Sequence, residues 1–283
     1  MATAPLKAKP RTQEATARVK RVVLVANEKG GVGKSVFTRA LVDCLRAAGR
    51  RVAAFDADGS VGATVRVLGA RGVDGALERV QDPVLGIGFY DGRSENERNI
   101  LLDSIETGEA LYVHDLAGGL LVDLTRIVDS GEGLDGLLDA FEAHGYRLTI
   151  FHVISPDFGA TQSVARWLGL IGDRADHLAV INLKHGKPPA DFPFWYGFID
   201  AKGEAKGGKT RRALLEAGGV EIEFPALPSG TFAKLDAENI RFTRADKVGL
   251  LSITERAHVS KFLRDFAENL GPALPFLGIE AGA

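Results

Sequence analysis

The sequence is poor in residues that cross-link a fold or bind transition metals. It has one cysteine, Cys44, among 283 residues. A single cysteine excludes a disulfide framework and a CxxC metal site, and its place in a predicted helix indicates a small core residue. The six histidines show no metal-ligand spacing. We interpret His114 and His152, which lie in apolar strands, as core residues as well.

The sequence also lacks a long hydrophobic run and a strong net charge. No stretch of 18 apolar residues occurs, and residues 1–20 have no apolar centre of a secretory signal, so we expect a cytoplasmic protein. Because the formal net charge is −2, contact with nucleic acid would need a local basic patch. Residues 1–20 are basic and poor in large apolar residues, which predicts a flexible basic tail.

Short apolar runs alternate with helical periodicity from Arg21 onward, without an internal repeat or a linker. Helices are predicted between the runs, the first over 34–48 and the last over 254–270. Strands that are apolar on both faces predict an α/β, doubly wound, mostly parallel sheet with helices on both faces, formed by residues 21–283 as a single domain. The seven predicted strands are RVVLVA (21–26), RVAAFDAD (51–58), LGIGFY (85–90), ALYVHDLAGG (110–119), RLTIFHVIS (147–155), HLAVINL (177–183) and VEIEFPAL (220–227).

Glycines and lysines are concentrated just after the first strand, in ANEKGGVGKS (26–35). A phosphate-binding loop needs inward-pointing backbone N–H groups, conformations that a Cβ would forbid, and a helix N-terminus behind them. The glycines permit that path, while Lys34 can reach the β- and γ-phosphates and the Ser35 hydroxyl can bind Mg²⁺. The pattern predicts a P-loop NTPase. It departs from G-x-x-x-x-G-K-[ST], because Glu28 replaces the first glycine and Lys29 is an additional lysine.

KGGVGKS (29–35) resembles the deviant Walker A loop of the ParA/MinD family of partition and division-site-positioning ATPases. The resemblance implies a slow, Mg²⁺-dependent ATPase that binds ATP, forms a homodimer on ATP binding and has an activating partner protein. It also implies that Lys29 contacts nucleotide across the dimer while Lys34 serves its own nucleotide. The implied nucleotide-binding residues of the loop are Glu28, Lys29, Gly30, Gly31, Val32, Gly33, Lys34, Ser35 and Val36.

Two further matches to the family concern hydrolysis and the metal. FDAD (55–58) matches a D-x-D pair, in which Asp58 would position the attacking water, with Asp56 behind it; both are assigned to the metal site. Asp115 and Ser35 complete that site, and the catalytic set is Lys29, Lys34 and Asp58. Relatives often continue with Pro-Gln after the second aspartate, where this chain has Gly59 and Ser60.

Other matches concern the terminal phosphate and the base. Gly118 and Gly119 match the segment that senses the γ-phosphate. Asn182 would read adenine, and Pro225 would line the base through the backbone. The stretches DGRSENERNILLDSI and GYRLTIFHVIS are similar to plasmid-encoded members of the family, which suggests a plasmid-type protein.

Residues 185–212 form a long connection that combines aromatic and basic residues. Two interpretations stay open: a surface for DNA backbone or a partner protein, or an aromatic mini-core under a solvated loop. DNA bound there would place the protein on the nucleoid. The aromatic residues are Phe192, Phe194, Trp195, Tyr196 and Phe198, and the basic candidates for DNA are Lys202, Lys206, Lys209, Arg211 and Arg212.

Two other functions are alternatives to a ParA/MinD-like switch. A metabolic P-loop kinase or ligase would need no phosphate contact from a second chain, so Lys29 argues against it. A metal-delivery or targeting ATPase of the same superfamily uses paired cysteines, and this chain has one. We also expect no membrane binding, because GPALPFLGIEAGA (271–283) carries no Lys or Arg for an interfacial helix.

Overall fold

A central parallel sheet of seven strands organises the protein in a computed structural model that describes residues 20–59 and 62–280. The strand order is β3-β2-β4-β1-β5-β6-β9. The predicted basic tail falls outside the described residues, apart from Lys20. The strands are β1 (Lys20–Ala26), β2 (Ala53–Asp56), β3 (Gly88–Phe89), β4 (Leu111–Asp115), β5 (Tyr146–Ile154), β6 (Asp176–Asn182) and β9 (Val220–Phe224), and a separate antiparallel hairpin contains β7 (Phe198–Ile199) and β8 (Ala205–Lys206).

Helices pack on both faces of the sheet, which confirms the predicted doubly wound P-loop NTPase fold. Alternate residues of β1 enter different cores: Val23 and Val25 pack on one face, and Val22 and Leu24 on the other. The helices are α1 (Lys34–Ala47), α2 (Ala63–Leu68), α3 (Ile100–Asp103), α4 (Leu121–Leu124), α5 (Asp135–Ala143), α6 (Phe158–Ile171), α7 (Pro193–Tyr196), α8 (Lys209–Glu216), α9 (Ser229–Ala237) and α10 (Ile253–Leu270).

The predicted and observed elements differ mostly where the segments are short. The third strand covers only Gly88–Phe89, because pairing with β2 extends over two residues. Helices α2, α4, α7, α8 and α9 were not predicted. Helices α2, α4 and α7 have only 6, 4 and 4 residues, too few to show a helical period, and α8 overlaps the basic run. Gly145 follows the end of α5 with a φ of 79°, a conformation that favours glycine after a helix.

The segment after α10 packs against the core. Residues 271–277 form a 3₁₀ helix in which Ala273 and Leu277 are buried. The Thr149 hydroxyl donates to the Phe276 carbonyl at 2.8 Å, which fixes this segment to β5. These apolar side chains are therefore used inside the protein, and the absence of lipid binding stays a prediction. None of the helices in the described ranges has the length and hydropathy to cross a bilayer.

The two strand histidines are buried, as the sequence indicated. His114 stacks on Phe55 with ring centroids 4.7 Å apart, and its Nδ1 lies 3.1 Å from the Tyr90 hydroxyl. Burial lowers the pKa of His114 to about 3. His152 of β5 stacks on His177 of β6, and its Nε2 lies 2.9 Å from the Nδ1 of that residue.

Replacing His114 with glutamine should flatten the acid dependence of stability. The unfolded chain protonates this histidine near pH 6.5, whereas the folded chain does so only near pH 3. The neutral ring therefore supports the fold above pH 6.5, and this stability is lost as the pH falls towards 3. Urea unfolding between about pH 6 and pH 4 should give a slope of the unfolding free energy that is about 1.4 kcal/mol per pH unit smaller in His114→Gln. Equal slopes would contradict the assignment.

Candidate functional site

The glycine-rich loop connects β1 to α1, and its first half is anchored from outside. The buried Asn27 amide donates to the Val153 carbonyl at 2.9 Å, and its oxygen accepts from the Lys29 backbone at 2.9 Å. The Glu28 backbone donates to the Ser163 hydroxyl at 2.9 Å. These contacts tie the loop to β5 and α6. Asn27 was not predicted as a functional residue, and its only signal in the sequence is a polar residue at the end of an apolar run.

The second half of the loop rests on Asn182 at the end of β6. Gly33 has a φ of +102°, and a Cβ there would lie 2.4 Å from Asn182 Nδ2, so only glycine fits. That nitrogen donates to the Val32 carbonyl at 2.8 Å, and Asn182 Oδ1 accepts from the Lys184 backbone at 3.1 Å. Asn182 therefore positions the loop, while its reading of adenine stays a prediction.

Lys34 begins α1 with its side chain inside the loop. It is 8% exposed, and its ammonium donates to the Asn27 carbonyl at 3.0 Å and reaches the Lys29 carbonyl at 3.5 Å. Burial lowers the pKa of Lys34, and the nearby carboxylates of Asp115, Glu28 and Asp58 oppose the shift. The arrangement holds a desolvated positive charge at the centre of the loop, which suits a phosphate.

Asp56 serves the backbone rather than an open site. Its Oδ1 accepts from the Asp58 N–H at 3.1 Å, and its Oδ2 accepts from Thr64 at 2.8 Å and Val65 at 3.2 Å. The last two N–H groups belong to the start of α2, where a carboxylate is favourable. Burial and the charge of Asp115 raise the pKa of Asp56 to about 7, although these hydrogen bonds oppose the rise. Asp56 thus supports the segment that carries Asp58, and direct metal binding by Asp56 stays a prediction.

Asp115 ends β4 with a carboxylate that is only partly satisfied. Its Oδ2 accepts from the Thr64 hydroxyl at 2.6 Å, whereas its Oδ1 is buried without a hydrogen-bond partner among the described residues. Burial raises the pKa of Asp115, and the hydroxyls of Thr64 and Ser35 and the charge of Lys34 counteract this. A buried carboxylate oxygen beside a serine hydroxyl fits Mg²⁺. No group of three or more His, Cys, Asp or Glu suited to a metal occurs among the described residues, but Mg²⁺ is commonly held by one or two carboxylates plus phosphates and water.

Asp58 and Gly59 lie directly after β2. Asp58 is half-buried and close enough to Lys34 for its charge to raise the pKa of that lysine. A Cβ on Gly59 would lie 2.4 Å from Asp91 Cβ and 2.8 Å from its Cα. The departure from Pro-Gln at this position therefore has a steric reason: the segment after β3 passes too close for a side chain. Ser60 lies outside the described residues.

The segment after β4 lies across the loop. A Cβ on Gly118 would be 3.1 Å from the Glu28 carbonyl oxygen, and Gly119 has a φ of +85°. An Arg93 guanidinium nitrogen donates to the Gly118 carbonyl at 2.6 Å. Arg93 was not predicted as a functional residue, because nothing in its local sequence indicates this contact with a residue 25 positions away.

A cavity of about 210 Å³ adjoins the loop. Asn182 and Pro225 both line it, as the predicted base site requires. The sequence analysis missed two further lining residues, Lys184 and Phe232; the Lys184 ammonium lies 5.4 Å from the Phe232 ring centroid. The other lining residues are Gly31, Gly33, Val36, His185, Phe224, Ala226, Leu227, Ser229, Phe242 and Phe262.

Lys29 is exposed at the rim of the loop, in contrast to Lys34. A Cβ on Gly159, at the start of α6, would lie 3.9 Å from Lys29 Cδ. Within the described ranges, no carboxylate forms an ion pair with Lys29. The two loop lysines therefore differ in burial, one lying within the loop and the other exposed to solvent, and the nucleotide contacts that the resemblance implies for them stay predictions.

The aromatic part of segment 185–212 is divided between core and surface. Phe192 and Trp195 are buried in a third hydrophobic cluster, and Trp195 Nε1 donates to Glu221 at 2.7 Å. Phe198 and Ile199 are 39% and 68% exposed. A mini-core is therefore present, and an apolar surface remains beside it.

The basic part of the segment is partly neutralised. Arg211 donates to Glu221 at 2.9 Å, and Lys206 pairs with Glu204 at 2.6 Å. Lys202, Lys209 and Arg212 are exposed.

The parallel sheet, the glycine-rich loop after β1 and the helix that begins at Lys34 define a P-loop nucleotide-binding protein. The family model of the CobQ/CobB/MinD/ParA nucleotide-binding domain matches residues 23–251. The chain belongs to this family, which confirms the resemblance drawn from KGGVGKS. A plasmid-type protein stays a prediction.

Solved structures similar to this chain include three nucleotide-binding or related proteins. A nucleotide-binding protein from Archaeoglobus fulgidus in complex with ADP is 19% identical, with 81% of this chain and 91% of that chain covered and a TM-score of 0.42. The MinD cell division protein of Aquifex aeolicus is 14% identical, with coverages of 88% and 96% and a TM-score of 0.48. pNOB8 ParA bound to nonspecific DNA is 13% identical, with coverages of 89% and 100% and a TM-score of 0.45. No curated protein sequence gives a significant match.

Proposed function

We propose that this protein is a slow, Mg²⁺-dependent ATPase whose ATP-bound form is a homodimer that positions or partitions a cargo. The observation that carries the proposal is the contrast between its two loop lysines. Lys34 is buried within the loop, and Lys29 is exposed at its rim. A nucleotide enclosed by one chain needs only the first of these. The second, being exposed, would contact a nucleotide bound by another copy.

Different residues of the site bind the phosphates, hold the metal and orient the attacking water. The loop N–H groups and Lys34 bind the β- and γ-phosphates, and Ser35 and Asp115 would hold Mg²⁺. Bound Mg²⁺ neutralises charge on the phosphate oxygens. Asp58 orients a water for attack on the γ-phosphorus, so that the bond from that phosphorus to the bridging oxygen breaks and ADP and phosphate leave. Asp56 keeps Asp58 in place through the backbone hydrogen bond at 3.1 Å.

The surface beside Lys29 supports pairing with a second copy. Phe158, at the start of α6, is 53% exposed, and a Cβ on its neighbour Gly159 would lie 3.9 Å from Lys29 Cδ. The Phe158 and Phe194 rings lie 5.2 Å apart, and those of Phe194 and Phe198 lie 5.9 Å apart. This aromatic row extends from Lys29 to the β7–β8 hairpin. Exposed apolar surface of this kind is typical of interaction sites.

A mass measurement in solution tests the proposal. Light scattering with Mg-ATP, with Mg-ADP and without nucleotide should give a doubled mass only with ATP. The nucleotide-free protein serves as its own control. A monomer under saturating ATP, shown to be bound by calorimetry, would contradict the switch and leave a simple nucleotide-binding protein.

The exposed basic side chains of segment 185–212 favour non-specific binding of the dimer to DNA. An activating partner protein would then act on the DNA-bound dimer. Lys209 and Arg212 each lack an ion pair among the described residues, unlike Arg211. Lys209→Ala and Arg212→Ala should each lower the slope of log K against log[salt] by about 0.9 per protomer, without a change in sequence preference. Gel shifts of random duplex DNA with ATP measure this, with exposed Lys247→Ala as the control. No binding at low salt by ATP-loaded Asp58→Ala would exclude DNA and leave the segment as a protein-partner surface.

A further inference from the structure

The loop that follows β3 is fixed to the end of β2. The Tyr90 backbone donates to the Asp56 carbonyl at 3.1 Å, and the Gly92 backbone donates to the Ala57 carbonyl at 3.1 Å. Asp91 organises the turn itself, because its Oδ1 accepts from the Arg93 backbone at 2.9 Å. The backbone of Arg93 is therefore held next to the strand end that carries Asp58.

The Arg93 side chain reaches from this loop to the segment after β4. It is exposed, and one of its terminal nitrogens donates to the Gly118 carbonyl at 2.6 Å. Gly118 lies against the phosphate loop, since a Cβ there would be 3.1 Å from the Glu28 carbonyl and 3.7 Å from the Gly30 nitrogen. Arg93 thus connects the segment after β3 to the segment after β4, and the second of these lies against the phosphate loop.

The Arg93 guanidinium has more hydrogen-bond donors than its one carbonyl partner uses. An arginine has five N–H groups, and the Gly118 carbonyl takes one of them. No carboxylate in residues 20–59 or 62–280 forms an ion pair with Arg93. Its charge is felt at Lys34, where it helps to lower the pKa of the ammonium. Lys34 and Arg93 are therefore two cations of one chain at the same loop, and a bound anion would offset the repulsion between their charges.

We propose that Arg93 is a second cation supplied by the same chain, which contacts the γ-phosphate of ATP and ties the Gly118 segment to it. The proposal rests on the proposed function. A planar guanidinium can hold a carbonyl with one nitrogen and phosphate oxygens with the others. Because ADP has no γ-phosphate, Arg93 distinguishes the two nucleotides. Charge that develops on the transferring phosphoryl group is stabilised by the same contact.

The test compares nucleotide affinities and turnover in Arg93→Ala, Arg93→Lys and a matched control, Arg98→Ala, from the same loop. Calorimetry with Mg²⁺ and a non-hydrolysable ATP analogue, and separately with ADP, gives the two dissociation constants. Arg93→Ala should weaken binding of the analogue by about 10-fold or more and leave ADP binding unchanged. It should also lower kcat by about 100-fold. Arg93→Lys, which keeps the charge, should recover part of both losses, and Arg98→Ala should match the wild type.

The outcomes separate this inference from the proposed function. Equal weakening of ATP-analogue and ADP binding in Arg93→Ala would mean that the arginine only supports the fold, and would overturn the inference. An unchanged analogue-to-ADP ratio with unchanged kcat would overturn it as well. If the wild type binds neither nucleotide, the proposed function fails, and the inference fails with it. Circular dichroism of each variant checks that it is folded.

Discussion

Lys34→Ala is expected to weaken Mg-ATP binding by at least about 100-fold and to abolish hydrolysis. Lys34 is 8% exposed in the wild type, and its side chain lies within the loop. Alanine removes the charge of that side chain. The Asn27 and Lys29 carbonyls, which the ammonium contacts in the wild type, would then face the phosphates without a cation between them. Repulsion would then replace attraction at the β- and γ-phosphates. Calorimetric titration and phosphate release measure the two effects.

Lys247→Ala is the matched control, because it also removes one lysine charge but from an exposed site on a 3₁₀ helix. It should bind and hydrolyse like the wild type. The asparagine anchors of the loop are unaltered in both variants, so folding should persist, and thermal unfolding confirms this. A Lys34→Ala protein with wild-type affinity and turnover would show that the loop does not hold phosphates.

The loop could be predicted from the sequence because its chemistry requires neighbouring residues. Glycines and a lysine must follow one another within a few positions of a strand end and a helix start. The same holds for Asp115, which is found by its place at the end of an apolar strand. Strands buried on both faces likewise give a continuous apolar pattern, and that pattern identified the parallel sheet.

Contacts between distant segments could not be predicted in this way. Arg93 meets Gly118 and Gly59 meets Asp91 only because β2, β3 and β4 lie side by side in the sheet. The motif also does not show how a carboxylate is used. The D-x-D pattern is the same whether the Asp56 carboxylate binds a metal or accepts hydrogen bonds from backbone N–H groups. In the structure it accepts three such hydrogen bonds.

The burial of side chains in segment 185–212 could not be predicted from the sequence for a different reason. Its composition is compatible with a buried cluster and with an exposed surface, and the structure contains both. Trp195 is buried in the third hydrophobic cluster and donates to Glu221, a residue of β9 that lies 26 positions away. Only the tertiary fold decides which aromatic ring is covered, since neighbouring residues of a short helix point in different directions.

Lys29→Ala and Asp58→Ala are expected to have opposite effects on the dimer. Lys29 is exposed at the loop rim, so its loss should leave nucleotide binding by the monomer within a few-fold of the wild type. It would remove the contact with the partner's nucleotide, and dimerisation and hydrolysis should both be lost. Asp58→Ala should bind ATP and dimerise, but it should stay dimeric because the attacking water is no longer oriented, with kcat lowered by about 100-fold or more.

Light scattering over time after addition of Mg-ATP distinguishes the two variants. Wild type should dimerise and then return to monomer as ATP is consumed, Lys29→Ala should remain monomeric, and Asp58→Ala should remain dimeric. Lys247→Ala should follow the wild type. If both variants stay monomeric under saturating ATP while the wild type dimerises, Asp58 is needed for assembly and its role in hydrolysis is wrong. If Lys29→Ala dimerises and turns over normally, the exposed lysine has no function in the second chain's site, and the contrast between the two loop lysines no longer supports an ATP-driven dimer.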